Sequence, residues 1–151
     1  MKVGQILKQK NNGTFSISAD QRLTEAAALM SEHRIGCLVI LDNQHPVSII
    51  SERDVMLAVS KYGADLPTVS IGDVMAPKLI TCDAECTLDE AMELMINNAT
   101  GRRIRHLPVL QGDQFAGVIS ISDVVAALLS KTEFENKLLK SYIKNWPDED
   151  A

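Results

Sequence analysis

The sequence has few aromatic residues, few cysteines and no long apolar run. Phe, Trp and Tyr make up only 4% of its 151 residues, so the core has to be built from aliphatic side chains. Three cysteines are too few for the disulfide framework of a small secreted domain. The longest apolar runs, residues 37–41 and 124–129, are far shorter than the ~20 residues of a membrane span. With no apolar signal region at the N-terminus, these features predict a cytoplasmic protein.

Standard catalytic and metal-binding patterns are also missing. The sequence contains no G-x-G-x-x-G, G-x-x-x-x-G-K-[ST], H-E-x-x-H or G-x-S-x-G motif. Cys82 and Cys86 have no histidine nearby to complete a zinc site, and no nucleophile is paired with a base. A net charge of −5 disfavours binding to nucleic acid or an anionic membrane. We therefore predict a protein that is not an enzyme and holds no catalytic cofactor or metal.

The chain contains an internal repeat. Residues 15–31 match residues 80–96 at six of seventeen positions with an offset of 65, and residues 48–58 match 117–127 at five of eleven with an offset of 69. The growing offset indicates a net insertion in the second copy, which we place at residues 97–103. Each copy has an amphipathic helix, two apolar strands around a turn, and a second helix.

This pattern predicts an α+β protein of the α/β type, with two tandem β-α-β-β-α repeats related by pseudo-twofold symmetry. The predicted short first strands lie near residues 15–17 and 79–82. We expect the first repeat, with an N-terminal helix, at 1–62 and the second at 63–130. A C-terminal helix, from 133 to 145, and an acidic tail occupy 131–151.

The motif Ser-x-x-Asp recurs at each predicted strand-to-helix junction, as Ser51 with Asp54 and Ser120 with Asp123. One interpretation is a helix cap, in which the serine accepts from a backbone N–H and the acid returns the bond. Another is a ribose clamp, because a carboxylate beside a hydroxyl accepts hydrogen bonds from vicinal sugar hydroxyls. The two interpretations are compatible with each other.

A basic cluster stands before the buried strand of the second copy, formed by Arg102, Arg103, Arg105 and His106. A charge run is usually a solvated loop. Arginine also offers a bidentate fork to phosphate. Beside a ribose-sized clamp, the cluster suggests a nucleotide phosphate as the alternative.

Residues 3–130 resemble a tandem pair of cystathionine-β-synthase (CBS) domains, also called a Bateman module. The matching stretches run from 33 to 36, 49 to 55, 103 to 109 and 117 to 125. The resemblance implies a stand-alone regulatory module without catalysis, which binds an adenosine compound in clefts between the repeats and acts on a partner protein. AMP is the ligand we expect first, with ADP, ATP and NAD(H) as alternatives.

The resemblance also implies that each cleft takes residues from both copies. Carried over by motif, cleft one comprises Ser51, Asp54, Ile80, Ile104 and Arg105. Cleft two comprises Ser120, Asp123, Phe15, Ile35 and Gly36, with His106 and Lys10 near the phosphate and Arg103 in the adjoining basic cluster. Ser48 stands where the family often has glycine, and the first copy lacks a basic cluster, so we expect the two clefts to differ.

The resemblance further implies a homodimer formed through helices, since residues 124–129 and 26–30 are apolar over more than one helical face. Other functions remain open at this stage. They are a structural interaction module with vestigial clefts, a redox-linked NADH binder, and a polynucleotide binder.

Overall fold

Each half of the chain folds into a three-stranded sheet with helices packed on it. The computed structural model describes residues 1–10 and 15–144. After helix α1 (Val3–Gln9), the first half contains β1 (Ser16–Ile17), α2 (Leu23–His33), β2 (Cys37–Asp42), β3 (His45–Ser51) and α3 (Glu52–Tyr62). A 3₁₀ segment (Gly63–Thr68) and the short α4 (Ile71–Val74) lead to the second half. It contains β4 (Cys82–Asp83), α5 (Leu88–Ile96), β5 (His106–Gln111), β6 (Gln114–Ser120) and α6 (Ile121–Lys144).

Strand pairing repeats the sequence duplication residue by residue. In each sheet the middle strand pairs with a parallel first strand and an antiparallel last strand. Ile17 pairs with Ile40 in one sheet, and Cys82 pairs with Val109 in the other. Ile17 and Cys82 are separated by the offset of 65 seen in the sequence, and Ile40 and Val109 by the offset of 69. The net insertion of the second copy lies in the 97–105 loop. The predicted fold of two β-α-β-β-α repeats is therefore confirmed.

The repeats enclose separate aliphatic cores. The first is built on β2, β3 and α2, and its fully buried members include Leu23, Leu38 and Ile50. The second is built on β5, β6 and α5, with Leu107, Ile119 and Met95 in equivalent surroundings. In the second half of β3 and of β6, buried residues alternate with half-buried ones, so one face of each sheet packs on a core.

Helix α1 packs on the second repeat, although the sequence groups it with the first. Val3 and Ile6 are buried in the second core. The N–H groups of Val3 and Gly4 donate to the carbonyls of Cys86 and Ala84, each at 2.8 Å. A Cβ atom on Gly4 would lie 3.1 Å from the Ala84 oxygen, so only glycine fits here without displacing its neighbour. The apolar face of α1 predicts burial but does not say against which repeat.

The helix predicted over 133–145 is present through Lys144, but it is not a separate element, because α6 runs without a break from Ile121 to Lys144. No glycine or proline interrupts residues 121–144, so nothing in the sequence ends the helix at 130. Asn145 and the acidic tail lie outside the described residues. The strand predicted at 79–82 is also shorter, since β4 pairs with β5 only through Cys82 and Asp83.

Candidate functional site

Both Ser-x-x-Asp motifs form capping boxes at the start of the helix that follows each sheet. Ser51 N–H donates to Asp54 Oδ2 at 2.8 Å, and Asp54 N–H donates to Ser51 Oγ at 3.4 Å. The corresponding distances for Ser120 and Asp123 are 2.8 and 3.1 Å. The helix-cap interpretation is therefore confirmed for both copies. In each aspartate the capping box uses Oδ2, which leaves Oδ1 outside the box. A role of these carboxylates in holding ribose stays a prediction.

The carboxylate of Asp123 also forms an ion pair with Lys10, the residue that ends α1. Lys10 Nζ donates to Asp123 Oδ2 at 2.9 Å and to the Val118 carbonyl at 3.2 Å. The two side chains are only 30% and 24% exposed, so this pair is better shielded from solvent than an ordinary surface ion pair. A cation therefore stands at the clamp of cleft two, where the sequence predicts a phosphate-binding lysine.

The loop before β2 meets the start of β5 at the same place. A Cβ atom built on Gly36 would lie 3.5 Å from Nε2 of His106 and 3.2 Å from Oε1 of Glu52. A Cβ atom at position 36 would therefore be tight against Glu52 and in ordinary van der Waals contact with His106. This close approach brings a backbone segment of the first repeat against a side chain of the second, which is the crossed arrangement expected for cleft two.

Burial and nearby charges together shift the pKa of three groups around cleft two. Burial lowers the pKa of His106, and the positive charge of Lys10 lowers it further. Burial opposes ionisation of Asp123, but the Ser120 N–H and the Lys10 ammonium outweigh it and hold the carboxyl pKa below its ordinary value. Burial raises the pKa of the Cys37 thiol to about 12, although Lys10 acts against this shift. At neutral pH the cluster therefore holds an ionised carboxylate and a neutral imidazole.

The structure brings together five of the residues predicted for cleft two: Lys10, Gly36, His106, Ser120 and Asp123. Phe15 and Ile35 are partly buried against the first core, and the Phe15 ring stacks on His33 with the centroids 4.0 Å apart. Their role at cleft two stays a prediction. Sequence reasoning missed Glu52, whose carboxylate faces Gly36. Glu52 directly follows Ser51, so its position at the repeat junction could have been inferred from the motif of the opposite cleft.

Cleft one differs from cleft two in the charged groups around its aspartate. Ile80 and Ile104 pack against the second core, and the Arg105 carbonyl accepts from the Ile121 N–H at 2.8 Å. The side chains of Arg103 and Arg105 are exposed. Among the described residues, the hydrogen bonds to the Asp54 side chain come from Ser51, and no lysine or arginine forms an ion pair with it. The structure thus shows an electrostatic difference between the two aspartates.

Ser48, which stands where the second copy has Gly117, is fully buried in β3. Its Oγ donates to the Ala76 carbonyl at 2.8 Å. The hydroxyl is therefore satisfied, and it ties the first sheet to the segment that connects the repeats. This departure from the family pattern has a structural reason that does not involve either aspartate.

Two shallow cavities flank the repeat junction. One of about 270 Å³ lies between α2 and α3 and includes Ile35 and Glu52 in its lining. The other, about 380 Å³, lies between the strand turns and is lined by His45, Asp113 and apolar neighbours. Neither is lined by Asp54 or Asp123. Within residues 1–10 and 15–144 there is no cluster of three or more potential metal ligands, and none of the described helices is long and apolar enough to span a membrane.

Two matched α/β repeats with a strand-to-helix Ser-x-x-Asp junction in each define a tandem α/β repeat fold. The model of the CBS domain matches residues 7–61 and 71–130, and the chain belongs to the CBS domain family. A curated relative, the mitochondrial CBS domain-containing protein CBSX3 of Arabidopsis thaliana, is 33% identical over 132 residues. The match covers 84% of this chain and 62% of that relative, so the chain spans less than two thirds of its length.

Solved structures show the same fold. A CBS-domain protein from Agrobacterium tumefaciens is 34% identical and superposes with a TM-score of 0.75, covering 84% of this chain and 98% of that one. A more distant CBS domain pair, 21% identical with a TM-score of 0.70, was solved in complex with 5′-methylthioadenosine and S-adenosyl-L-methionine. That match covers 87% of this chain and 98% of the other, and it shows a shared fold.

Proposed function

We propose that this chain is a regulatory module that binds an adenosine compound at cleft two and acts on a partner protein without catalysis of its own. The observation that carries the proposal is the cross-repeat cluster of Lys10, Gly36, His106 and Asp123. It combines a carboxylate that accepts from hydroxyls, a cation for a phosphate, and a half-buried glycine beside His106. A related fold that holds two adenosine compounds supports this ligand class.

Asp123 is the proposed ribose ligand. Its Oδ2 already accepts from the Ser120 N–H and from Lys10, while the second carboxylate oxygen is free of both bonds. Vicinal ribose hydroxyls donate to an ionised carboxylate, and the lowered pKa keeps Asp123 ionised at neutral pH. Hydrogen bonds to a charged partner contribute about 1.5–3 kcal/mol each, enough to anchor a nucleoside.

Lys10 is the proposed phosphate ligand. Among the described residues, Asp123 and the Val118 carbonyl are the hydrogen-bond partners of Lys10. Its ammonium can turn from them toward an anion while the ribose hydroxyls take its place on the carboxylate. A nucleoside without phosphate would have to compete with the ion pair. A nucleotide would instead offer Lys10 a new partner, so this arrangement favours AMP, ADP, ATP or NAD(H) over adenosine.

Cleft one is proposed as a weaker or differently selective site. Asp54 and Ser51 repeat the clamp, with Ile80, Ile104 and Arg105 as the opposite wall. Since no described cation is paired with Asp54, ribose is not required to displace one there. The exposed side chains of Arg103 and Arg105 remain available to an anionic ligand.

Calorimetric titration of ligand-free protein tests the proposal. Adenosine, AMP, ATP, NADH and S-adenosylmethionine are titrated into wild type and into the matched pair Asp123→Asn and Asp54→Asn. We expect saturable binding of at least one phosphorylated adenosine compound, weakened by Asp123→Asn. If none of the compounds binds at millimolar concentration, the alternative of an interaction module with vestigial clefts replaces the proposal. Turnover of NADH would contradict the absence of catalysis.

We also propose that the chain forms a homodimer through its helices and acts in the cytoplasm. Met56, Leu57 and Val59 on α3 are 49–64% exposed, and Val125 and Leu129 on α6 are 43% and 58% exposed. Such a concentration of apolar side chains on helix surfaces is typical of an interface. Light scattering should then give about 33 kDa, twice the 16.5 kDa of one chain.

A further inference from the structure

Helix α6 carries an apolar stripe that continues past the second repeat. Val125, Leu129, Leu139 and Ile143 are 43%, 58%, 56% and 62% exposed, whereas Val124 on another side of the same helix is fully buried in the core. With Thr132 and Asn136 between them, the stripe positions follow one another at alternating intervals of four and three residues. That spacing places them along a single seam, as in a coiled coil.

We propose that this stripe pairs with the same stripe of a second copy as a parallel, two-stranded coiled coil. In the heptad register that the spacing defines, the a positions are Leu129, Asn136 and Ile143, and the d positions are Val125, Thr132 and Leu139. An asparagine at one a position favours two parallel strands in register, because its amide finds a partner in the equivalent amide of the other helix. All six side chains are accessible on α6.

The flanking charges favour the parallel orientation. Glu135 occupies a g position and Lys140 the e position of the next heptad. In a parallel pair, g of one helix faces that e position on its partner, so Glu135 of each chain would meet Lys140 of the other. In an antiparallel pair, g positions face g positions and e positions face e positions, which loses this attraction. The occupant with matching charge and polar spacing is therefore a second copy of this chain.

The inference rests on the proposed homodimer, because fewer than three full heptads form only a marginal coiled coil on their own. Once the repeats associate, the two α6 helices are tethered, and their high effective concentration favours pairing. A parallel pair of α6 helices also fixes the orientation of the dimer. The second repeats of the two chains must lie next to each other, since α6 begins in that repeat.

Cysteine cross-linking in the full chain tests the pairing. Ile143→Cys places a thiol at an a position, and Ser141→Cys places one at the outward f position two residues away. Under mild oxidation with a small disulfide reagent, we expect a disulfide-linked dimer for Ile143→Cys. Wild type, with its native cysteines, and Ser141→Cys should stay largely monomeric on a non-reducing gel.

The possible outcomes separate the two proposals. A mass of about 33 kDa without selective cross-linking at 143 overturns the coiled coil and leaves the homodimer standing. A mass near 16.5 kDa at micromolar concentration overturns both. Selective cross-linking at 143, absent at 141, supports a parallel pair, because an antiparallel pair would separate the two thiols by most of the helix.

A charge exchange provides an independent test without new cysteines. Lys140→Glu would place two glutamates opposite each other and raise the dissociation constant of the dimer about fivefold. Glu135→Lys combined with Lys140→Glu restores the opposite-charge pairs, so its dissociation constant should return to within about twofold of wild type. A double variant no better than the single variant would contradict the proposed register.

Discussion

Lys10 Nζ lies 2.9 Å from Asp123 Oδ2, although 113 positions separate the two residues in the sequence. The contact joins the end of the first helix to the beginning of the last one. It therefore links the N-terminal segment to the proposed ribose clamp. A ligand that forms hydrogen bonds to Asp123 must change the environment of Lys10. Ligand binding at this site can therefore affect the N-terminal helix.

The first prediction concerns Lys10. In Lys10→Met, the affinity for AMP should fall at least about fivefold, because the phosphate loses its cation. The affinity for adenosine should stay equal or rise, because ribose no longer competes with an ion pair. Lys8→Met, at an exposed position on the same helix, is the control and should bind both ligands as wild type does. Equal losses for AMP and adenosine would show that Lys10 supports the fold of the site without contacting phosphate.

The second prediction compares the two aspartates. Asp123→Ala and Asp54→Ala should each lower the free energy of unfolding by about 1 kcal/mol, since each removes half of a capping box. Nucleotide affinity at the affected cleft should also fall roughly tenfold or more. Chemical denaturation measures the first effect and calorimetry the second. If stability falls in both variants while binding of every adenine nucleotide is unchanged, the residues act only as caps.

The third prediction follows from the lowered pKa of Asp123. The folded state holds the carboxyl pKa below that of the unfolded chain, which is about 3.9. The pair with Lys10 therefore contributes stability that is fully present above about pH 4 and is lost as the pH falls through the folded-state value. Urea unfolding of wild type and Asp123→Asn should show a stability difference at pH 6 that shrinks toward pH 2.5. A difference independent of pH would contradict the ionic contribution.

The fourth prediction concerns His106, whose pKa is lowered by burial and by Lys10. An unfolded histidine has a pKa of about 6.5, so below that pH the unfolded chain takes up the proton first and stability falls. His106→Gln removes this loss and should flatten the stability profile between pH 7.5 and pH 5. His45→Gln, at the exposed first position of β3, is the matched control. An unchanged profile in His106→Gln would show that other groups govern this range.

The fifth prediction tests the helical interface. Ala127 packs against the second core, so a charge there would damage the fold as well as any interface. Met56→Glu is more informative, because Met56 is 64% exposed in the single chain. It should leave the unfolding of the monomer nearly unchanged and raise the dissociation constant of the dimer at least tenfold. Lys61→Glu, at an exposed position on the same helix, controls for added charge.

The sequence was sufficient for the parts of the fold that repeat. Duplicated spacing predicted both sheets, the insertion and both strand-to-helix junctions, because local patterns determine helices, strands and caps. It could not predict that α1 joins the second core. An apolar helical face indicates that the helix is buried, but it does not indicate which core covers it. Nor did the sequence predict that α6 continues past residue 130, because no glycine or proline marks the end of the second repeat in the sequence.

The same distinction applies to the candidate site. Asp54, Asp123, Ser51 and Ser120 stand in a motif and were found as such. Lys10 was identified by resemblance alone, and its partner is a matter of three-dimensional packing. Glu52 was missed because its position matters only once the loop of one repeat faces the strand of the other.

The attachment of α1 to the second core has a consequence for synthesis of the chain. Val3 and Ile6 leave the ribosome well before the residues they pack against, around Ala84, Leu88 and Leu107. The first repeat can fold around its own core during translation. The apolar face of α1 stays exposed until the second repeat has been synthesised. Closing this long-range contact is entropically slow, so helix α1 should be the last of the elements around the second core to acquire its native neighbours.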